Sequence, residues 1–220
     1  MFFSERIVSI NSNYKVLEVG PGATPHIRSN VFLEKRFDTE EELIAQSGKV
    51  GLLKTDKKVV LYDGAKFPFE DKEFDYVICS HVLEHVPDVA FFLSELQRIA
   101  SKGYLEYPTI YYDYIYDIPE HENFLLKKDG VIYWMKKNQT NIHEFKIIQR
   151  FFYTTMNYKY TSLVNELKDY FFQGFEWDGE IKVQSAMSLD DVCFSQDMIS
   201  LRDPTLPFWK RKLINLIKRI

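Results

Sequence analysis

The chain has 220 residues, of which 45% are hydrophobic, so it is long enough for one domain with additions and a sizeable core. Its net charge of −4 disfavours a nucleic-acid-binding protein, which needs a basic surface to meet phosphate groups. No apolar run is long enough to span a bilayer, the N-terminus lacks the pattern of a signal peptide, and the two distant cysteines indicate reduced thiols, which together predict a cytoplasmic protein.

The first predicted element is a buried strand that runs into a Gly-Pro-Gly turn, in the segment KVLEVGPG at residues 15–22. Gly20 and Gly22 have no Cβ, so a ligand can approach the backbone, and Pro21 stiffens the turn. The glycine pattern of a dinucleotide site stops at Gly22, and the next apolar run begins at Val31, which leaves room for only a turn or a stunted helix. We therefore expect a ligand without a pyrophosphate; a purely structural glycine turn is the alternative.

Strands and helical stretches then alternate, which predicts a parallel sheet. The further strands are predicted at residues 31–34, 58–62, 74–80 and 104–108. Asp88 is expected to cap a helix that Gly103 stops. Glu18, Glu34 and Asp63 stand at the ends of three successive strands, so we expect them on the same rim of the sheet, where open α/β sheets bind ligands.

The sequence resembles the class I S-adenosylmethionine-dependent methyltransferases in three blocks: LEVGPGATPH from residue 17, VFLEKR from residue 31 and LYDGAKFPFEDKEFDYVICSHVLEHVPD from residue 61. The resemblance covers about residues 14–108, and it departs from the family at Thr24, where a third glycine is common. It implies an α/β fold with a Rossmann-like sheet, helices on both faces, and S-adenosylmethionine as the cofactor.

The resemblance also implies a set of cofactor-binding residues along the strand ends: Glu18, Gly20, Pro21, Gly22, Glu34, Asp63, Gly64, Ala65 and Ser80. Glu18 would hold the ammonium group of the cofactor, and the glycine turn would lie along its methionine part. Glu34 would accept hydrogen bonds from both ribose hydroxyls, because a carboxylate has lone pairs enough for two donors. Asp63 would accept a hydrogen bond from the adenine amino group. A solvated loop carboxylate is the alternative for each acid.

Two histidines, His121 and His81, are the candidates for a catalytic base, since a hydroxyl acceptor benefits from a base and histidine titrates in a suitable range. The remaining three are predicted to be structural: His26 at the cofactor turn, His85 in its loop and His143 at the surface. No metal site is predicted, because the pairing of His121 with Glu122 has unspecific spacing.

Residues 109–183 are unusually aromatic and are predicted to select the substrate. Turns at Asp129–Gly130 and Asp178–Gly179 predict two hairpins, which would form an antiparallel extension or cap over the site. The tyrosines of residues 111–116 could stack on a sugar or a base, or pack the hairpins. We therefore divide the chain into a methyltransferase domain at 1–183, with its cofactor half at 14–108, and a C-terminal segment at 184–220.

Residues 207–220 predict an amphipathic helix with five basic residues and no acidic ones. Such a helix could lie on an anionic membrane or pack on the core of the protein. The function expected from the whole sequence is O-methylation of a cell-surface glycan or its precursor, without a nucleic-acid partner. The alternatives are a non-catalytic binding module in a glycan-synthesis complex, and a methyltransferase that acts on a small molecule or a protein.

Overall fold

A computed structural model describes residues 1–37, 39 and 53–199, so the predicted C-terminal helix at 207–220 lies outside the described residues. The described strands are, in chain order, β1 (Val16–Val19), β2 (Val31–Lys35), β3 (Lys58–Tyr62), β4 (Tyr76–Ser80), β5 (Lys102–Pro108), β6 (Asn123–Lys128), β7 (Val131–Lys136), β8 (Phe172–Asp178) and β9 (Lys182–Ser185). The described α-helices are α1 (Val89–Ile99), α2 (Ile110–Tyr116), α3 (Lys146–Asn157), α4 (Ser162–Glu166) and α5 (Lys168–Phe171). Among the described residues, no helix is both long and apolar enough to cross a bilayer.

The central sheet has the strand order β3-β2-β1-β4-β5-β8, and every pairing is parallel except that of β8 with β5. Strand β1 lies in the middle, where Leu17 is paired with Val31 on one side and Val77 on the other. The strand order reverses between β1 and β4, and such a reversal opens a crevice at the carboxyl ends of the strands. The predicted parallel α/β sheet is therefore confirmed.

The connection from β1 to β2 contains turns and no helix, as the glycine spacing predicted. Gly20 joins this loop to β2 through a hydrogen bond from its N–H to the carbonyl of Leu33 at 2.9 Å. The loop therefore lies close to the end of the sheet and does not cross either face, and the backbone of its glycines is partly exposed at the rim.

Helix α1 begins where the sequence predicted, since Asp88 caps it by accepting a hydrogen bond from Phe91 N at 2.9 Å. It ends at Ile99, earlier than predicted, because the N–H groups of Lys72 and Phe74 donate to the carbonyls of Arg98 and Ile99. Gly103 does not stop the helix. It lies within β5, where a Cβ would stand 2.2 Å from the carbonyl oxygen of Val77, so this position requires glycine.

A second sheet has the order β6-β7-β9. Strands β6 and β7 form the predicted hairpin around Asp129 and Gly130, both of which have positive φ, as a tight turn of this kind requires. The second predicted hairpin is wrong. Strand β8 pairs with β5 over seven residues, from Lys102 opposite Asp178 to Pro108 opposite Phe172, and β9 pairs in parallel with β7. The turn at Gly179 thus carries the chain from one sheet to the other.

The core lies on both faces of the central sheet. On one face, the apolar side of α1 packs on the strands, and Leu125 and Ile132 of the second sheet join the same cluster. On the other face, the buried side chains of β1, β4 and β5 are covered by Ile7, Ile10 and Tyr14 of the N-terminal segment. The second sheet therefore packs beside α1 and leaves the carboxyl rim of the central sheet open.

Candidate active site

A cavity of about 1320 Å³ lies at the carboxyl ends of β1 to β4. Its walls come from the loop after β1, the ends of β2 and β3, residues 80–88, the segment after α2 and one side of α3. Aromatic side chains form part of its lining: Phe2, Phe37, Tyr62, Phe91, Phe92, Tyr112, Tyr153 and Phe172. None of the described residues of β6, β7 or β9 reaches it, so the second sheet is an extension of the fold rather than a cap over the site.

The two glycines of the first turn both have positive φ, +62° at Gly20 and +57° at Gly22, but they face different surroundings. A Cβ at Gly20 would stand 2.5 Å from Cγ2 of Val82, so the side chain of Val82 occupies the space that a Cβ would need. A Cβ at Gly22 would meet no protein atom within 4 Å. Gly22 therefore presents bare backbone to open space at the cavity, and Pro21 between them is buried and holds the turn.

Glu18 lies beneath this turn and is only 3% exposed. Its Oε2 accepts hydrogen bonds from Ser29 Oγ at 2.6 Å and from His26 N at 2.8 Å. Burial raises the pKa of Glu18, and these two hydrogen bonds offset part of that effect. Glu18 is not among the described residues that line the cavity, so the geometry makes it the residue that holds the turn in place.

Glu34 and Asp63 line the cavity from the ends of β2 and β3. Burial raises the pKa of Glu34, while a hydrogen bond from the N–H of Gly22 lowers it in part, and this bond ties the acid to the glycine turn. Asp63 is exposed, and its Oδ1 accepts a hydrogen bond from Ala65 N at 3.0 Å. Gly64 lines the cavity beside it, whereas Ala65 shapes the loop without lining the cavity.

His81 stands at the tip of β4 with a φ of +57° and carries two carboxylate neighbours. Its Nε2 lies 2.9 Å from Oε1 of Glu106, and its Nδ1 lies 3.3 Å from Oε1 of Glu84. Burial alone would lower the pKa of His81, but the two carboxylates outweigh it and raise the pKa to about 9. His81 is therefore a cation at neutral pH. Ser80, next to it, donates its hydroxyl to Glu106 at 3.1 Å.

His121 also lines the cavity, with its side chain 9% exposed. Its Nδ1 lies 2.9 Å and 3.0 Å from the two carboxylate oxygens of Asp113 on α2. Burial would lower the pKa of His121, but the charge and hydrogen bond of Asp113 raise it. Because Nδ1 donates to Asp113, the Nε2 lone pair is left available to a ligand.

The other histidines have structural contacts, as the sequence predicted. His85 Nδ1 meets the carbonyl oxygen of Glu120 at 2.9 Å, which holds the two loops together, although its ring also lines the cavity. His26 belongs to the turn above Glu18. His143 is half exposed and lies 3.4 Å from Asp117. Of the tyrosines at 111–116, Tyr112 lines the cavity, while Tyr111 stacks on Phe194 with ring centroids 5.0 Å apart.

Three buried acids that contact His81 or His121 were not predicted as site residues from the sequence. Glu84, Glu106 and Asp113 are at most 1% exposed. Burial would raise the pKa of Glu84 and of Glu106, but His81 outweighs it and lowers both to about 2. An acid within an otherwise apolar or aromatic run, as at Asp113 and Glu106, is the signal that could have indicated a buried charge with a partner.

Comparisons with known proteins give one family match and several partial structural similarities. Residues 17–105 match the model of a family described as a methyltransferase domain. No match was found among curated protein sequences.

Several solved structures are similar in part, and three of them illustrate the extent of the similarity. The YcgJ protein of Bacillus subtilis is 18% identical, with a TM-score of 0.36, over 51% of this chain and 56% of that one. An S-adenosylmethionine-dependent methyltransferase from Mesorhizobium loti is 17% identical, with a TM-score of 0.33, over 56% and 57%. One from Aquifex aeolicus is 20% identical, with a TM-score of 0.30, over 44% and 57%. The chain spans little more than half the length of these structures.

The similarity to a family rests on the sequence match, since the structural similarities cover too little of each chain to carry an argument. The matched segment runs from β1 to β5 and contains the glycine turn, Glu34 and Asp63. Residues 17–105, which make up less than half of the chain, are therefore similar to the family described as a methyltransferase domain.

Proposed function

We propose that the whole chain is a cytoplasmic O-methyltransferase that acts on a hydroxyl of a cell-surface glycan or of its nucleotide- or lipid-linked precursor. The observation that carries the proposal is a single cavity that extends from the glycine turn to His121. Its volume of about 1320 Å³ exceeds the roughly 300–1,000 Å³ of a site for one small molecule, so an acceptor has room beside the cofactor.

The residues at the strand ends fit the cofactor of the family. Gly22 offers backbone with no side chain to block it, and Glu34 is tied to that backbone through the Gly22 N–H. Glu34 would accept the ribose hydroxyls, and Asp63 with Gly64 would border the adenine. Glu18 would contribute by holding the turn. S-adenosylmethionine supplies a methyl group on a sulfonium centre.

Aromatic rings at the acceptor end of the cavity favour a sugar. Phe2 and Phe172 stack with ring centroids 4.0 Å apart and form one wall, and Tyr112 and Tyr153 stand on α2 and α3. The apolar faces of sugar rings pack on such surfaces, while the tyrosine hydroxyls can hydrogen-bond to sugar hydroxyls. These side chains hold the acceptor in line with the methyl group, which is the main task of the enzyme.

His121 is the residue assigned to activate the acceptor hydroxyl. Asp113 binds Nδ1 and raises the pKa of the ring, which leaves Nε2 as the nitrogen that can take the proton of the acceptor hydroxyl. His81 is less suited to this role, because two carboxylates keep it protonated at neutral pH. We assign His81 to positioning, since it links the tip of β4 to Glu106 and Glu84.

Calorimetry with S-adenosylhomocysteine tests the cofactor site. We expect Glu34→Gln to weaken binding by about 1–3 kcal/mol, because it leaves ligand hydroxyls without their charged acceptor. Glu70→Gln is the matched control, since Glu70 is exposed and is not among the described lining residues. Absence of binding to the unaltered chain at millimolar ligand would refute the proposed function.

Transfer of labelled methyl groups tests the acceptor. The full chain, labelled S-adenosylmethionine and fractions of nucleotide sugars, lipid-linked glycans or proteins would be incubated, and the product would be treated with glycosidases. We expect the label in a sugar methyl ether and a large loss of turnover in His121→Gln with cofactor affinity retained. Label found solely in protein or in an amine would overturn the assignment of the substrate class.

A further inference from the structure

We propose that Glu84, His85 and His121 form a binding site for one divalent cation of the Zn²⁺ type at the acceptor end of the cavity. The three residues come from two segments, 83–85 and 117–122, which meet at this point. All three line the cavity, so a cation bound there would be reached from the acceptor side.

The spacing of the three side chains suits a shared ligand. Their candidate ligand atoms all lie within 4.8 Å of one another, and Oε1 of Glu84 is 3.9 Å from Nε2 of His85. The rings of His85 and His121 are nearly perpendicular, at 82°, with centroids 4.9 Å apart. Bonds of about 2.0–2.2 Å to Zn²⁺ need ligand atoms somewhat closer than this, and small side-chain rotations supply the difference.

Glu84 is the observation that points most directly to a cation. It is 0% exposed, yet neither of its carboxylate oxygens accepts a hydrogen bond of standard geometry from any described residue. Its ion pair with His81 involves only Oε1, which lies 3.3 Å from Nδ1 of His81. A buried carboxylate is costly unless its lone pairs are used, and a metal ion among Glu84, His85 and His121 would use them.

Both histidines are already oriented as metal ligands. His121 Nδ1 faces the carboxylate of Asp113, and His85 Nδ1 faces the carbonyl oxygen of Glu120. Each ring therefore has Nδ1 as its donor and Nε2 as the nitrogen with a free lone pair. A second hydrogen bond of this kind is the usual support of a metal-binding histidine, because it fixes both the tautomer and the orientation of the ring.

The ligand types select the class of cation. Two imidazoles and one carboxylate suit Zn²⁺ and similar first-row ions, whereas Mg²⁺ and Ca²⁺ prefer oxygen ligands. Three protein ligands with one side open to a cavity is the arrangement of a catalytic rather than a structural zinc site. This consequence rests on the proposed function: the cation would lower the pKa of the bound acceptor hydroxyl so that its proton passes to water in the open cavity, and His121 would then be a ligand of the cation and not the base.

Calorimetry of the tag-free, metal-stripped full chain with ZnCl₂ tests the site. We expect one ion per chain, and a loss of about 100-fold or more in affinity in each of Glu84→Gln, His85→Gln and His121→Gln. His143→Gln is the control, because His143 is half exposed and contacts Asp117. Asp113→Asn, which alters a positioning residue, should lower the affinity by about 10–100-fold.

Substitution with Co²⁺ gives a second readout. The visible spectrum should show ligand-field bands without a thiolate charge-transfer band, which would separate this site from binding at Cys79 or Cys193. If Glu84→Gln fails to fold, the two histidine variants decide. No Zn²⁺ binding to the unaltered chain, or equal binding in the histidine variants and His143→Gln, overturns the inference.

The two proposals fail separately in this design. Binding of S-adenosylhomocysteine without Zn²⁺ binding would remove the metal site and leave His121 as the direct base. Zn²⁺ binding without S-adenosylhomocysteine binding would keep the metal site and remove the proposed function.

Discussion

At the scale of single residues, Gly20 and Gly22 have the same backbone conformation but opposite surroundings. Gly20 is filled in by Val82, whereas Gly22 faces open space at the cavity. Both glycines line the cavity, and the sequence predicted both as cofactor-binding residues from the missing Cβ atoms alone, which do not show which neighbour occupies the space. The absence of a side chain at Gly20 therefore serves packing, whereas Gly22 is the position at which we propose that the cofactor meets the backbone.

We expect Gly22→Ala to cost about 1–2 kcal/mol of folding free energy, since an L-residue at positive φ is strained, and also to weaken S-adenosylhomocysteine binding. Gly20→Ala should destabilise the fold more, because its Cβ would add the 2.5 Å contact with Val82. Urea unfolding and calorimetry measure the two effects. Combining Gly20→Ala with Val82→Ala should restore part of the lost stability. Equal destabilisation by both single substitutions would contradict this reading.

At the scale of elements, Arg98 fastens helix α1 to the loop between β3 and β4. Its guanidinium donates to the carbonyls of Phe67 and Phe69 and forms ion pairs with Glu95 and Asp71. Glu95 in turn accepts a hydrogen bond from Phe67 N at 2.8 Å. This loop begins at Asp63 and Gly64, so the contacts of Arg98 and Glu95, here called the Arg98 clamp, help to hold the side of the cavity that Asp63 and Gly64 line.

The clamp predicts a pH dependence of stability. The hydrogen bond from Arg98 holds the pKa of Glu95 below its ordinary value of 4.5. A carboxylate with a lowered pKa in the folded state stabilises above its unfolded pKa, and this contribution is lost as the pH falls through the folded pKa. Glu95→Gln should therefore cost about 1–2 kcal/mol at pH 7 and progressively less below about pH 4.5.

Urea unfolding from pH 7 to pH 3 measures this difference, and Glu70→Gln on the same loop serves as the control because Glu70 is exposed. We expect the control to change stability little at either pH. A destabilisation by Glu95→Gln that is independent of pH would show that the pair acts through shape rather than charge.

Local signals predicted the elements well where local chemistry decides them. Asp88 caps α1 at the predicted residue, and Asp129–Gly130 makes the predicted hairpin. Asp178–Gly179 carries the same local signal, yet β8 and β9 belong to different sheets. Strand β8 pairs with the edge of β5 over seven residues instead of with β9. Because β5 and β8 are far apart in the chain, the residues of the turn at 178–179 do not indicate that β8 pairs with β5.

At the scale of the whole molecule, two of the three predicted rim acids, Glu34 and Asp63, line the cavity, whereas Glu18 is buried and the buried acids behind the histidines were not predicted. The positions of Glu34 and Asp63 could be predicted because both residues lie at the ends of strands, and strand ends can be located from the local sequence. Glu106 is buried because the N–H groups of Phe2 and Phe3, more than 100 residues away, donate to its carboxylate. Glu84 is buried where segments 83–85 and 117–122 meet. Long-range packing therefore set the acceptor end of the site, where sequence spacing is least informative.

The uneven distribution of charge along the chain leads to a prediction about residues 207–220. This segment has five basic residues within a chain of net charge −4, and it lies outside the described residues. We expect the full chain to sediment with vesicles that contain anionic lipid, because each basic residue near such a surface contributes roughly 1 kcal/mol. Removing residues 207–220 should abolish sedimentation and leave S-adenosylhomocysteine binding intact, since the described lining residues extend no further than Phe172.

Charge and apolar contact can be separated in the same assay. Replacing the five basic residues with glutamine, while keeping Trp209, Leu213 and Leu216, should weaken sedimentation at low salt almost as much as the deletion does. Added salt should weaken binding of the unaltered chain, because exposed charges more than about 10 Å apart are screened at 0.1 M. If the unaltered chain ignores anionic vesicles at low salt, the segment has another partner, and a lipid-linked acceptor loses its main support relative to a nucleotide-linked one.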